Sequence, residues 1–426
     1  MQDFKFNLDY VREQFPALSK TVNGYPAAFL DGPGGTQVPR SVVEKINEYL
    51  YYHNANSHGV FITSVQSDAS YWAAKEALAD FLNCEAREVA FGASSSTNNF
   101  LLAFGLLRSI LKPGDEIIIT EIDHEGNRSP WRTLEDFGIK IKNIRLDPDT
   151  YVLDLEDYKS KLSDRTKVVA VNWASNATGT ISDVKTIIRM AHEAGAVTVV
   201  DAVHYALHRS IDVKDIDTDF LICSAYKFFG PHLGVLYAKA ETGEKIKTVR
   251  VIADDNTDMP WKFETGTPAM ELAAGAAAAV EFIAGIGKEH EQFFEKELSG
   301  LSGRRRLVVA GIKAIEAYEE PLAEKLRSEL AAIEGVKVYS PPKDVPKTST
   351  VSFTVKGANS NDAARFLAER GLFVWDGDFY AIHIVNEVLK LTGQGGLVRI
   401  GLAPYNTEDE IDRTIKAVKD FCAGLK

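Results

Sequence analysis

Cysteine is scarce in this 426-residue chain: Cys84, Cys223 and Cys422 are the full complement. Three cysteines without metal-ligand spacing exclude a disulfide framework and a zinc-type site, so no metal is expected. An excess of positive charge is missing as well. The net charge is −12 and the one short basic run is Arg304-Arg305-Arg306, which reads as the solvated face of a helix. No nucleic-acid partner is therefore expected. Long apolar runs are also lacking. Met1 to Leu18 mixes polar and apolar residues and contains no signal-type core. The Ala-rich stretch Ala273 to Ala284 is interrupted by Glu281 and falls short of the about 20 apolar residues that span a bilayer. The chain has no Walker-type Gly-Lys-Ser/Thr element and no dinucleotide glycine fingerprint, which counts against a nucleotide-binding protein. With 45% hydrophobic and 25% charged residues, it is expected to be soluble, cytoplasmic and long enough for two domains.

What is present is a strand–helix rhythm between about residues 85 and 240. Glu88 to Phe91, Glu116 to Thr120, Val168 to Val171, Val197 to Asp201 and Phe220 to Cys223 are apolar runs with almost no polar alternation. Such runs suit strands buried on both faces, and the rhythm predicts an α/β fold with a mostly parallel, doubly wound sheet. Ligands in that architecture sit beyond the carboxyl ends of the strands. After about residue 290 the texture changes to a charged helical region, Glu289 to Glu334, followed by a smaller α+β unit. Its last helix opens on Thr407-Glu408-Asp409-Glu410, a capping-box spacing. The expected division is a terminal segment, 1–25, packing on the small domain; a large domain, 26–285; and a small domain, 286–426.

Chemistry is sought at the strand ends. One strand ends in Asp201, and the next leads into Ser224-Ala225-Tyr226-Lys227, one βαβ step downstream. A lysine facing a carboxylate across a crevice is what pyridoxal phosphate requires. The amine binds the cofactor covalently, and the carboxylate keeps the pyridine nitrogen protonated. Taken alone, the pair equally fits a strand-ending turn and a surface lysine. Gly92-Ala93-Ser94-Ser95-Ser96-Thr97-Asn98, at a helix start, fits a phosphate site or an ordinary N-cap. His124 fits a ring stacked on a cofactor or a structural histidine.

In their order along the chain these motifs resemble the class V aminotransferase family of fold-type-I pyridoxal-phosphate enzymes, and within it the cysteine desulfurase/selenocysteine lyase branch. The stretches that carry the resemblance are Asp123-His124-Glu125-Gly126-Asn127, Ser175-Asn176-Ala177-Thr178-Gly179-Thr180 and Val200-Asp201-Ala202-Val203-His204. They continue with Ser224-Ala225-Tyr226-Lys227-Phe228-Phe229-Gly230-Pro231, Phe263-Glu264-Thr265-Gly266-Thr267-Pro268 and Val398-Arg399-Ile400-Gly401-Leu402-Ala403-Pro404. The resemblance implies a large cofactor-binding domain and a smaller α+β domain. It assigns Lys227 to the covalent link, Asp201 to the pyridine nitrogen and His124 to the ring face. Ser95, Ser96 and Ser224 would bind phosphate. Thr267 would do so from the partner subunit of a homodimer. Asn176 and Arg399 would hold the carboxylate of an amino-acid substrate, Arg399 as a bidentate pair, although a turn role and a surface ion pair fit those two residues equally when each is taken alone.

Three departures from the family pattern stand out. His204 takes the place of a glutamine that touches the cofactor's phenolic oxygen, and Tyr226 takes the place of a histidine before the lysine. Both can still donate a hydrogen bond. Third, the small-domain loop that carries the desulfurase nucleophile reads Gly371-Leu372-Phe373-Val374-Trp375-Asp376-Gly377-Asp378-Phe379-Tyr380-Ala381, with Tyr380 near the cysteine position. Tyrosine cannot form a persulfide. The polar groups of this loop, with His383, fit acid/base roles or plain packing. Tyr380 and His58 are candidate substrate contacts, and Gly34 and Gly35 would permit a close backbone approach. The expected reaction is a β-eliminating (C–S or related) lyase acting at Cα. Aminotransferase or racemase/epimerase action, and a non-catalytic cofactor-binding homologue, are the alternatives.

Overall fold

The computed structural model describes residues 4–251 and 258–425. Seven strands make the central sheet: β1 (Val89–Gly92), β2 (Glu116–Thr120), β3 (Lys140–Ile144), β4 (Thr166–Asn172), β5 (Val197–Asp201), β6 (Phe220–Ser224) and β7 (Gly234–Ala238). Their spatial order is β1-β7-β6-β5-β4-β2-β3. Pairing is parallel from β3 across to β6, and β7 runs antiparallel to both β6 and β1. The expected mostly parallel, doubly wound α/β sheet is what the chain forms. Ile117, Ile118, Val168, Val169, Val199 and Val200 are fully buried, because helices cover both faces of the central strands; the edge strand β3 is exposed at Lys140. The strand order reverses between β2 and β4. That reversal opens a crevice at their carboxyl ends.

A second, four-stranded antiparallel sheet comprises β8 (Val336–Tyr339), β9 (Thr350–Val355), β10 (Trp375–Gly377) and β11 (Leu397–Gly401), in the order β8-β9-β11-β10. The terminal helix Glu408–Gly424 has the predicted capping box between Thr407 and Glu410.

Two expectations need correction. The charged region Glu289 to Glu334 is not one helix. Helix Met270–His290 ends, and helix Gly303–Ala331 begins only after an intervening loop. Gly300 in that join, and Gly303 where the second helix begins, have φ of +81° and +56°, a left-handed backbone that cannot continue a right-handed helix. The Ala-rich stretch, in turn, belongs to a 21-residue helix whose length and composition would suffice to cross a membrane. Most of it is instead buried in the protein, and the interrupting Glu281 faces outward to pair with Arg304 at 3.1 Å. Helix Gly303–Ala331 joins the two cores: Val308, Ile312 and Ile315 pack in the larger one, Ala323, Leu326 and Leu330 in the smaller. Near the N-terminus, Phe6 stacks on Tyr318, Phe15 packs on Phe229, Phe282 and Tyr405, and Arg12 pairs with Glu410. This segment therefore touches both units.

Candidate active site

A cavity opens beyond the carboxyl ends of β2, β4, β5 and β6. Its volume is about 120 Å³, many times what a single water needs. Ser95, Ser96, His124, Asn176, Asp201, His204, Ser224, Tyr226 and Lys227 all line it, so nine of the residues picked from the sequence converge on one site.

Each is placed by a short local device. Helix Ser95–Ser109 starts at the cavity; Ser94 caps it by accepting from the Thr97 N–H at 3.0 Å. The first-turn N–H groups of Ser95 and Ser96 have no acceptor within the helix. The turn lies so close to β7 that a Cβ on Gly234 would stand 2.3 Å from the Ser94 carbonyl carbon. His124 is the N-cap of helix Glu125–Arg132, and its Nδ1 accepts from the Gly126 N–H at 2.9 Å. That bond leaves the proton on Nε2. Burial, with Lys227 and Arg399 nearby, lowers His124 to about 4, so the ring is neutral.

Asp201 ends β5 and accepts from the Val203 N–H at 2.9 Å. Burial raises its carboxyl to about 6. Lys227 sits in the turn after β6, donates to the Pro33 carbonyl and lies 4.8 Å from the Tyr226 ring centre. Burial first, then the Arg399 charge, lowers the ammonium to about 7. A lysine with that value is partly neutral at physiological pH, as a nucleophilic amine must be.

Arg399, on β11, lies behind Asn176 and donates to its carbonyl at 3.0 Å. Burial lowers its guanidinium to about 9. The Phe379 ring covers it, 4.1 Å from centroid to guanidinium carbon, and the Phe379 carbonyl accepts from Asn176 Nδ2 at 3.0 Å. Phe379 and Tyr380 both have φ of +57°. The Tyr380 carbonyl accepts from the Glu125 N–H at 2.7 Å, and its ring stands 5.6 Å from that of His124.

His58, Tyr380, Thr267 and Gly34 stand outside this cavity. His58 does not line the cavity. Its left-handed backbone (φ +66°) turns the N–H to Asp68 at 2.9 Å, and its ring packs on Trp261. Tyr380 is 69% exposed and stands at the mouth of the site, not inside it. Thr267 is exposed and outside this chain's own cavity. Its loop is anchored by Glu264, which accepts from buried Lys75 at 2.7 Å, from Tyr71 at 2.8 Å and from the Phe91 N–H at 3.1 Å. The close approach at Gly34 is to Trp375, whose Nε1 would lie 2.2 Å from an added Cβ.

Sequence reasoning missed Asn99 and Asn172, which also line the cavity beside Ser94, and Asp31, which is buried next to it. Asn172 ends β4 as Asp201 ends β5, so the rule that found Asp201 applies to it too. Asp31 lies close enough to Arg399 and Lys227 to feel both charges, and burial raises it to about 6.

The cavity fits pyridoxal phosphate on its own chemistry. Ser224 Oγ, Asn172 Oδ1, Asn176 Oδ1, Asn99 Oδ1, Arg399 Nε and Asp31 Oδ1 are buried without a hydrogen-bond partner among the described residues. Unmatched polar atoms this dense around a cavity await a polar ligand. A serine-lined helix N-terminus supplies an anion site, and the lysine and carboxylate lie beyond it.

The fold and site together define a fold-type-I pyridoxal-phosphate-dependent enzyme. The aminotransferase class-V family profile matches residues 28–305 and 305–414, and the chain belongs to that family, whose members depend on pyridoxal 5'-phosphate. A probable cysteine desulfurase of Synechocystis sp. is 32% identical over 96% of this chain and 94% of its own length. A cysteine desulfurase of Haloferax volcanii is 29% identical over 98% and 97%. Among solved structures, the apo cysteine desulfurase of Thermococcus onnurineus superposes with a TM-score of 0.83 at 28% identity, over the whole of both chains.

Proposed function

We propose that the protein acts at Cα of an amino acid as a C–S or related lyase, eliminating the β-substituent directly instead of passing sulfur to a cysteine of its own. The observation that carries this reading is the placement of its thiols. Cys223 is fully buried on β6, Cys422 is buried in the terminal helix, and Cys84 follows helix Ile62–Leu82. Burial raises the Cys84 and Cys223 thiols far above the reactive range. The turn over Arg399 and Asn176 instead presents Phe379 and Tyr380.

When bound, the cofactor supplies the electron sink that stabilises negative charge at Cα. Lys227 Nζ would hold it covalently, and its amine, lowered to about 7, is the base available to take the α-proton. Asp201 would hold the proton on the ring nitrogen. Neutral His124 would lie against the ring without adding a competing charge. Ser95, Ser96 and Ser224 hold the phosphate, and Arg399 and Asn176 orient the substrate carboxylate. Thr267 reaches the site of a second copy. Exposed Tyr51, Tyr52, Val60, Phe61, Ile62 and Val65 offer that copy an apolar face.

A panel of amino acids assayed for sulfide, keto acid and loss of chirality tests the reaction. Sulfide and pyruvate released together from cysteine, or a thiol and pyruvate from a thioether relative, are expected. Keto acid without β-elimination, or racemisation alone, would overturn it. Sedimentation at the mass of a single chain would overturn the dimer.

A further inference from the structure

His204 lines the cavity, yet its Nε2 is turned away to the small-domain strand β9, 2.8 Å from Thr350 Oγ1 and 3.2 Å from Thr348 Oγ1. Both threonines are buried, at 0% and 1% exposure. The hydroxyls fix the direction of these hydrogen bonds. The Thr348 hydroxyl donates to Thr350 Oγ1 at 3.1 Å. Thr350 must then place its own proton elsewhere, and among the described residues its one acceptor is His204 Nε2. The opposite arrangement, with a proton on Nε2, leaves the Thr350 hydroxyl proton unmatched in a site closed to water, which buried donors avoid. The chain therefore runs Thr348 to Thr350 to His204, each hydroxyl polarising the next. A neutral imidazole that accepts at one nitrogen carries its proton on the other. The ring is neutral here: burial, then His208, Lys227 and Arg399, hold it well below the usual histidine value. Nδ1 has no protein partner among the described residues.

We propose that Thr350, backed by Thr348, acts as a positioning residue that locks His204 in the Nδ1–H tautomer, making the ring a hydrogen-bond donor for an acceptor oxygen of the bound cofactor. This rests on the cofactor reading above. Through this bond the interface between the two sheets has a chemical role, because β9 sets the proton position on a group of the large-domain cavity. Reversing the tautomer would turn a donor into an acceptor and set two lone pairs against each other.

The tautomer is directly readable in cofactor-free protein labelled with ¹⁵N-histidine. Ring nitrogen shifts separate N–H from bare nitrogen, and the His204 signals are those missing in His204→Gln. Protonated Nδ1 and bare Nε2 are expected in the wild type, and again in Thr350→Ser, which keeps the hydroxyl. In the isosteric double variant Thr348→Val/Thr350→Val no hydroxyl reaches Nε2, and the Nδ1–H form is expected to lose its dominance. On adding pyridoxal phosphate, the visible band of that variant is expected at a different position from the wild type's and from that of Thr350→Ser. A protonated Nε2 in the wild type overturns the proposal even if the double variant fails to fold. So does a double variant with wild-type shifts. Absence of any visible band in the wild type would instead refute the cofactor reading, while the ¹⁵N result would still decide the tautomer.

Discussion

On one side of the cavity, Asp201, Ser224 and Lys227 follow directly on strands buried on both faces, so packing of the whole sheet fixes where they point. On the other side, Arg399 stands on the small sheet beneath a turn in which Phe379 and Tyr380 both have a left-handed backbone. Non-glycine residues adopt that conformation at a cost in steric strain. The wall proposed for the cofactor is thus built on the sheet, and the wall proposed for the substrate on a loop. On the proposed reading, the cofactor chemistry belongs to the sheet side and the choice of reaction to the loop side.

Four measurements probe the two walls. The largest expected effect is from Lys227→Ala on the sheet wall. The visible band formed with pyridoxal phosphate should disappear, and turnover should fall by about 10²–10⁴-fold. A variant that retains both would place the chemistry elsewhere. The second effect is in pH. Because Lys227 is lowered to about 7 and only the neutral amine attacks, covalent capture should speed up about tenfold per unit as pH rises towards 7 and then level off. A rate still climbing at pH 9–10 would mean an ordinary lysine. Third, Arg399→Lys replaces a planar fork by a point charge and should raise KM about 10- to 100-fold, the range for a lost hydrogen bond to a charged group. Visible-band formation should be unchanged. Smallest is Phe379→Ala. Uncovering the guanidinium should lower KM by about 2- to 5-fold, the low end of the cation–π range, with little change in kcat. A rise in KM would show that the ring helps to bind substrate.

The sheet side was legible in the sequence because buried parallel strands declare themselves as uninterrupted β-branched runs, and the residue that ends each run faces the crevice. Lys227, Asp201 and His124 were found in that way. The loop side was not. Nothing in Asp378-Phe379-Tyr380 reveals that a phenylalanine covers Arg399, which lies twenty residues further along the chain. The Thr350–His204 bond joins residues 146 positions apart, and only folding brings them together. The join before Gly303 was obscured because charged residues continue across it, from Glu289 to Glu297, while the helix does not.

The claim that sulfur leaves without passing through a thiol of this chain is tested most directly by intact-protein mass after turnover. The enzyme loaded with pyridoxal phosphate is given cysteine, quenched with an alkylating agent and weighed, with sulfide and pyruvate measured in the supernatant. Equal sulfide and pyruvate, with no sulfur added to Cys84, Cys223 or Cys422, is the predicted result. A persulfide on any of the three, formed at the rate at which cysteine is consumed, would contradict the account.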